Sequence, residues 1–305
     1  MPPTPQYRWP LLERACGLGE LWLKHENHTP VGAFKIRGGL VFFDALKQRG
    51  TLPEGVVSAT RGNHGQSIAF AAARHGVKAL IVVPHGNSRE KNAAMRALGA
   101  ELLEHGVDFQ AAREHAATLA AQRGWLMVPS FAPELVRGVA SYALELFDAV
   151  AELHTGLDTV YVPIGMGSGA CGLIAARDAL GLRTQIVGVV STGAPAYALS
   201  LQQGRPISHA VTTVLADGMA CRTPEPEALA MMQHGLARVV QVSDDEVATA
   251  MRLLFECTHQ VAEGAGAAAL AALRQEAHRH QGGGRHAVVL SGGNIDRELF
   301  VQHMK

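Results

Sequence analysis

One lysine in this chain has the surroundings that amine chemistry needs. Lys35 lies in Gly32-Ala33-Phe34-Lys35-Ile36-Arg37-Gly38-Gly39 and is the only lysine with apolar neighbours inside a glycine-flanked turn. An amine meant to form a Schiff base must be partly desolvated, because burial lowers its pKa and frees the lone pair. A place at the start of a helix adds a dipole that disfavours the ammonium. The same residues also suit a lysine on an exposed helix face. Lys47, Lys78, Lys91 and Lys305 fall at helix ends, turns or the terminus and are read as solvated charges. Lys24 is read as paired with a glutamate.

Three further segments follow short apolar runs. Ala59-Thr60-Arg61-Gly62-Asn63-His64-Gly65-Gln66 opens a helix, where free backbone N–H groups make an anion site. Thr60, Asn63, His64 and Gln66 add neutral donors suited to a carboxylate. A polar turn with Asn63 in the left-handed region reads the same way. In Val162-Pro163-Ile164-Gly165-Met166-Gly167-Ser168-Gly169-Ala170-Cys171-Gly172, alternate glycines let N–H groups wrap a phosphate. Positions 167–172 match GxGxxG literally. A dinucleotide site wants an acid at the end of the next strand, but that strand ends Val189-Val190-Ser191-Thr192. NAD is disfavoured, NADP stays open through Ser191 and a nearby arginine, and a monophosphate fits better. Leu290-Ser291-Gly292-Gly293-Asn294-Ile295 offers one hydroxyl to the same crevice, or is an ordinary turn.

The elements that position these segments alternate between short apolar runs and longer Ala-rich stretches. Runs at 56–58, 79–83, 101–103 and 126–128 are separated by helical patterns at 66–75, 89–98 and 109–123. After a helix over about 134–153, strands at 159–162, 185–190, 239–242 and 287–290 resume the rhythm. Helices precede Leu180, follow Ser243 and cover 265–276, and residues 20–24 are strand-like. Ser243 and Glu246 have capping-box spacing. Continuously apolar strands signal a parallel sheet covered on both faces, and the spacing is that of βαβ units. Two α/β lobes with a seam near 130–137 are expected, with ligands beyond the carboxyl ends of the strands. Gln281-Gly282-Gly283-Gly284 reads as a surface loop.

Composition removes other classes. The 27 basic and 27 acidic residues balance, so a nucleic-acid binder's electrostatic footprint is missing. Apolar runs fall far short of the ~18 residues of a membrane span, and the N-terminus lacks a signal-peptide pattern. Four scattered cysteines without CxxC suggest neither a zinc site nor disulfides and fit a reducing cytoplasm. The 15 histidines, as in Arg74-His75 and His278-Arg279-His280, are read mostly as solvated.

In this order, the four segments resemble pyridoxal-phosphate enzymes of the tryptophan-synthase-β-like fold, fold type II, in the threonine dehydratase and serine racemase branch. The resemblance runs from Thr4-Pro5 to Asp296 and includes Lys24-His25-Glu26-Asn27, Ala216-Asp217-Gly218 and Ala262-Glu263-Gly264-Ala265-Gly266. Tyr7-Arg8-Trp9-Pro10 with Thr60-Arg61-Gly62-Asn63 is most similar to the phenylserine dehydratase subgroup. The resemblance implies an α/β fold of two three-layer lobes with the active site in the cleft between them. Residues 1–47 and 137–305 would form the large cofactor-binding domain and 48–136 the small domain. Pyridoxal phosphate would be held as a Schiff base by Lys35, with Phe34 beside it. The backbone of Gly165, Met166, Gly167, Ser168 and Gly169 would hold its phosphate. Asn63 would meet the ring hydroxyl, Ser291 the ring nitrogen, and Glu263 would support the pocket. Thr60, Arg61, Gly62, Asn63 and His64 would bind the substrate.

The reaction so implied is dehydration and deamination of a β-hydroxy-L-amino acid to a 2-oxo acid and ammonia, with Lys35 as the Cα base. Threonine, serine, phenylserine and hydroxyaspartate are the candidate substrates, and a cytoplasmic homodimer is expected. From other classes, the alternatives are an NADP-dependent oxidoreductase and a non-catalytic ligand-binding protein. Two departures matter. Relatives that bind a divalent metal carry acids where this chain has Val190 and Ala196, so no metal is expected. Arg61 replaces the racemases' serine, and a guanidinium is a poor proton carrier, so elimination without racemisation is expected. Arg61 would attract an acidic side chain, stack on a phenyl ring, or point to solvent. Met166 and Ser168 stand where many relatives have Gly, with backbone contacts expected from both.

Overall fold

The computed structural model describes residues 1–152, 156–280 and 283–305. The expected helix end at Leu153 and the loop positions Gln281 and Gly282 lie outside the described residues. The strands are β1 (Gln6–Arg8), β2 (Glu20–His25), β3 (Gly55–Ala59), β4 (Lys78–Val83), β5 (Glu101–Glu104), β6 (Leu126–Met127), β7 (Thr159–Pro163), β8 (Gln185–Ser191), β9 (Arg238–Val242) and β10 (Arg285–Leu290). The helices begin with α1 (Pro10–Cys16), α2 (Lys35–Gln48), α3 (Asn63–Arg74), α4 (Arg89–Ala97), α5 (Phe109–Arg123), α6 (Pro133–Ala151) and α7 (Ser168–Ala179). They continue with α8 (Ala196–Gln203), α9 (Pro226–Gly235), α10 (Asp244–Thr258), α11 (Gly264–Gln275), α12 (Ala277–His280) and α13 (Arg297–His303).

Two sheets result, ordered β1-β2-β10-β7-β8-β9 and β5-β4-β3-β6. Every described pairing is parallel except β1 with β2. Side chains alternate across a strand, so each sheet feeds two cores. Leu21, Leu23, Val187, Val189 and Val288 meet α10 and α11 on one face of the larger sheet, while Val160, Val162, Ile186 and Val289 meet α6 and α7 on the other. In the smaller sheet, Val56, Ile81 and Val83 pack with α2 and α3, and Val57, Leu80 and Val82 with α5. These are the three layers of each α/β lobe, and they explain why the strands read as unbroken apolar runs.

Caps set where the helices begin. Ser243 accepts from the Glu246 N–H, and the Glu246 carboxylate accepts from the Ser243 N–H, completing the expected capping box. α3 starts at Asn63, three residues before the sequence pattern places it. Asn63 therefore has helical backbone, and the left-handed alternative is removed.

A buried ion network fixes α2. Arg37, two residues after Lys35, reaches Glu26 at 2.8 Å and Glu145 at 2.5 Å, and Lys24 Nζ lies 2.7 Å from the same Glu145. Lys24 is paired as expected, though with a glutamate 121 positions away. The expectation of solvated histidines fails at His75, which stacks on Phe43 and lies 3.2 Å from Asp44. It fails also at His25, His64 and His286, which are buried. Among the described residues, no helix is long and apolar enough to cross a membrane.

Candidate active site

The carboxyl ends of the parallel strands in both sheets open onto one cavity. Phe34 and Lys35, residues 60–64, residues 165–169, Glu263 and Ser291 all line it. All fourteen site residues expected from the sequence are thus brought together. The turn after β10 knits the parts: Phe34 N–H donates to the Ser291 carbonyl, Gly293 N–H to Gly32, and Glu263 N–H to Gly292. Gly32 sits at φ +68°, and a Cβ there would come within 2.5 Å of Asn294 Oδ1.

Lys35 is the first residue of α2. It is partly accessible where it lines the cavity, and burial pushes its amine down to about 8. The Phe34 ring centroid is 4.9 Å from Nζ, and Phe34 meets Tyr142 edge-on. Nζ donates to Ser168 Oγ at 2.8 Å.

Residues 165–169 lead from β7 into α7. Tyr197 donates to the Met166 carbonyl and Tyr142 to the Gly169 carbonyl. Two carbonyls of this segment are thus occupied. The first N–H groups of α7, at residues 168–170, have no partner within the helix, as at any helix N-terminus. Gly167, at φ +99° and with a would-be Cβ 2.8 Å from Ala228, can only be glycine. The Ser168 side chain, for which no role was expected from the sequence, is engaged by Lys35.

The N-terminus of α3 is built similarly. Thr60 Oγ1 accepts from the Gly62 and Gly65 N–H groups, which leaves its own O–H free to donate. Asn63 accepts from Asn294 at 2.9 Å and donates to Glu263 at 2.6 Å, leaving one amide N–H. His64 is buried, its Nε2 has no partner, and burial followed by the Lys35 charge pushes its pKa down to about 3. Arg61 is half-buried, and its buried Nε has no partner either. Ser291 is buried, with only a long 3.4 Å bond to the Ala265 carbonyl.

Sequence reasoning missed Lys91. It is 5% exposed rather than solvated, with Nζ 2.7 Å from Asp217 and 3.1 Å from Glu263. Burial opposes its charge, but the two carboxylates outweigh that and hold the ammonium above its usual value. Burial likewise pushes the Glu263 carboxyl up, partly offset by Lys91. Nothing local in Arg89-Glu90-Lys91 signals this. Phe109, Met219 and Cys221, also unforeseen, line the cavity too.

These residues fit pyridoxal phosphate. A low-pKa amine suits its aldehyde, unpaired α7 amides its phosphate, the spare Asn63 N–H its ring oxygen and the neutral Ser291 hydroxyl its ring nitrogen. Val190 and Ala196 are buried hydrocarbon side chains.

Comparison with known proteins agrees. The pyridoxal-phosphate dependent enzyme family model matches residues 1–292. The biosynthetic L-threonine dehydratase of Salmonella typhimurium is 34% identical over 90% of this chain and 53% of its own length. The chain thus spans about half the length of that relative. The processed form of threonine deaminase isoform 2 from Solanum lycopersicum superposes with a TM-score of 0.90 at 26% identity, covering 98% of this chain and 86% of its own. Maize serine racemase gives 0.88 at 26% identity, covering 99% and 91%. The cofactor is therefore pyridoxal phosphate rather than a dinucleotide, and the fold is the two-lobed α/β fold type II. The chain belongs to the pyridoxal-phosphate dependent enzymes.

Proposed function

We propose that this chain converts a β-hydroxy-L-amino acid of the threonine, serine or phenylserine type to a 2-oxo acid and ammonia, the water lost at Cβ being regained when the released enamine hydrolyses. One observation carries the reading: Lys35, whose amine burial pushes down to about 8, shares a cavity with two helix N-termini whose first N–H groups have no partner within the helix. The threonine dehydratase named among the relatives supplies the substrate class.

Pyridoxal phosphate, when bound, supplies an electron sink that acidifies the substrate Cα. The α7 N-terminus would hold its phosphate, Ser291 would meet its ring nitrogen, and Asn63, fixed by Glu263 and Asn294, would meet its ring oxygen. A hydroxyl at Ser291, unlike a carboxylate, does not keep that nitrogen protonated. Lys35 takes the Cα proton at Nζ. Thr60, the α3 amides and His64 orient the substrate carboxylate. A guanidinium such as that of Arg61 is a poor proton carrier, so elimination proceeds without racemising the substrate. A homodimer belongs to the same proposal.

Preference for a bulky side chain rests on Arg61 and on Phe109, Met166 and Met219 in the same cavity. A serine and threonine enzyme without that preference, or a hydroxyaspartate ammonia-lyase, is separated from it by one panel. The holoenzyme is assayed for 2-oxo acid release from L-threonine, L-serine, L-threo-phenylserine and threo-hydroxyaspartate. Turnover of at least one is expected, and Lys35→Ala should lose both turnover and the visible absorbance of bound cofactor. Turnover that survives Lys35→Ala, or none in the wild type, sinks the reading.

A further inference from the structure

Ser168 opens α7, and its hydroxyl does something that the backbone of the loop cannot. It accepts from Lys35 Nζ at 2.8 Å, the amine's one hydrogen bond among the described residues. The Phe34 ring, 4.9 Å from that amine, offers only its π face. Ser168 is 2% exposed, so packing fixes the place of its hydroxyl. A lysine amine rides on a flexible four-carbon stem; one fixed acceptor at its tip selects one orientation.

The groups that share the cavity do not do this. Lys91 is taken by Asp217 and Glu263. His64 is held neutral by burial, and burial pushes the Cys221 thiol up to about 12. Arg61 carries a charge of the same sign as the ammonium. No carboxylate forms an ion pair with Lys35 among the described residues.

We propose that Ser168 is a positioning residue for Lys35, its hydroxyl holding the amine toward the cavity whenever the lysine is not bonded to the cofactor. This rests on the reading of Lys35 as the amine that captures the cofactor and takes the Cα proton.

The test compares wild type with Ser168→Ala, Ser168→Gly and the hydroxyl-restoring Ser168→Thr. Covalent capture of pyridoxal phosphate is followed from neutral to alkaline pH, fixed with borohydride and measured on the Lys35 peptide. In the holoenzyme, kcat and KM are measured over the same range at saturating cofactor. The wild-type midpoint should fall near 8. Without the hydroxyl, the ammonium loses its acceptor while burial stays. The midpoint should drop by about one unit, the effect of one hydrogen bond to a charged group. The kcat should fall about tenfold with KM held, a loss of transition-state interaction alone. Ser168→Thr should restore both. An unchanged midpoint, or a kcat recovered by excess cofactor, would mean that Ser168 serves only the phosphate loop and overturns the proposal. Failure of the underlying reading looks different: wild type would show no capture at Lys35.

Discussion

Lys91 Nζ lies 3.1 Å from Glu263 Oε2, although the lysine belongs to α4, beside the smaller sheet, and the glutamate caps α11, beside the larger one. Asp217 closes on the same ammonium at 2.7 Å, and Glu263 holds Asn63 at 2.6 Å. One cation thus ties a second lobe and a cavity-lining amide to a pair of acids from the first. The aliphatic stem of Lys91 also fills the space beside Gly62, where any Cβ would collide with it.

Removing that cation should therefore unfold more than a surface lysine would. Lys91→Met leaves two carboxylates, one of them 2% exposed, without a counter-charge. Breaking a buried pair from one side costs about 3 kcal/mol, read as a lower urea midpoint. Adding Glu263→Gln should recover part of the loss by removing the orphaned charge. A Lys91→Met loss below about 1 kcal/mol, the range of exposed pairs, would show that the triad is solvated after all.

The contrast between Lys35 and Lys91 shows what the sequence could reveal. Lys35 was legible because its cue is local: apolar neighbours, flanking glycines and a helix start. The sheets were legible for the same reason, since apolar runs such as 79–83 are themselves the buried strands. Lys91 was not, because its partners stand 126 and 172 positions away and only the closure of two lobes brings them near. β1 and α13 escaped notice because they are short and mostly exposed, so neither carries a strong period. Ser168 was read only for its backbone, because its hydroxyl partner lies 133 positions away.

His25 should give the fold a pH-sensitive component. Trp9 Nε1–H donates to His25 Nε2 at 3.1 Å, which only a neutral ring can accept. Burial, followed by the neighbouring His28, pushes His25 from its ordinary 6.5 down to about 4. Between those values the unfolded chain binds the extra proton, so stability rises with pH and is lost as pH falls from 6.5 toward 4. One group contributes at most about 1.4 kcal/mol per pH unit. His25→Gln, which keeps an acceptor for the indole, should flatten the dependence of urea-unfolding free energy over that window. Parallel curves for wild type and variant would remove His25 from the account.

Arg61 should decide which side chain the cavity prefers. Its buried Nε lacks a partner, and a hydrogen bond to a charged group contributes about 1.5–3 kcal/mol. Arg61→Ala should then lower kcat/KM for the favoured substrate by about ten- to a hundredfold and reorder the panel. Arg61→Lys separates the causes, because lysine keeps the charge but loses the planar fork and its stacking face. Recovery confined to hydroxyaspartate would identify a second carboxylate as the bound group. Loss confined to phenylserine, without recovery, would identify ring stacking. Equal losses for all four substrates, threonine included, would remove selectivity from Arg61 and leave it as one more donor to the carboxylate that every substrate carries.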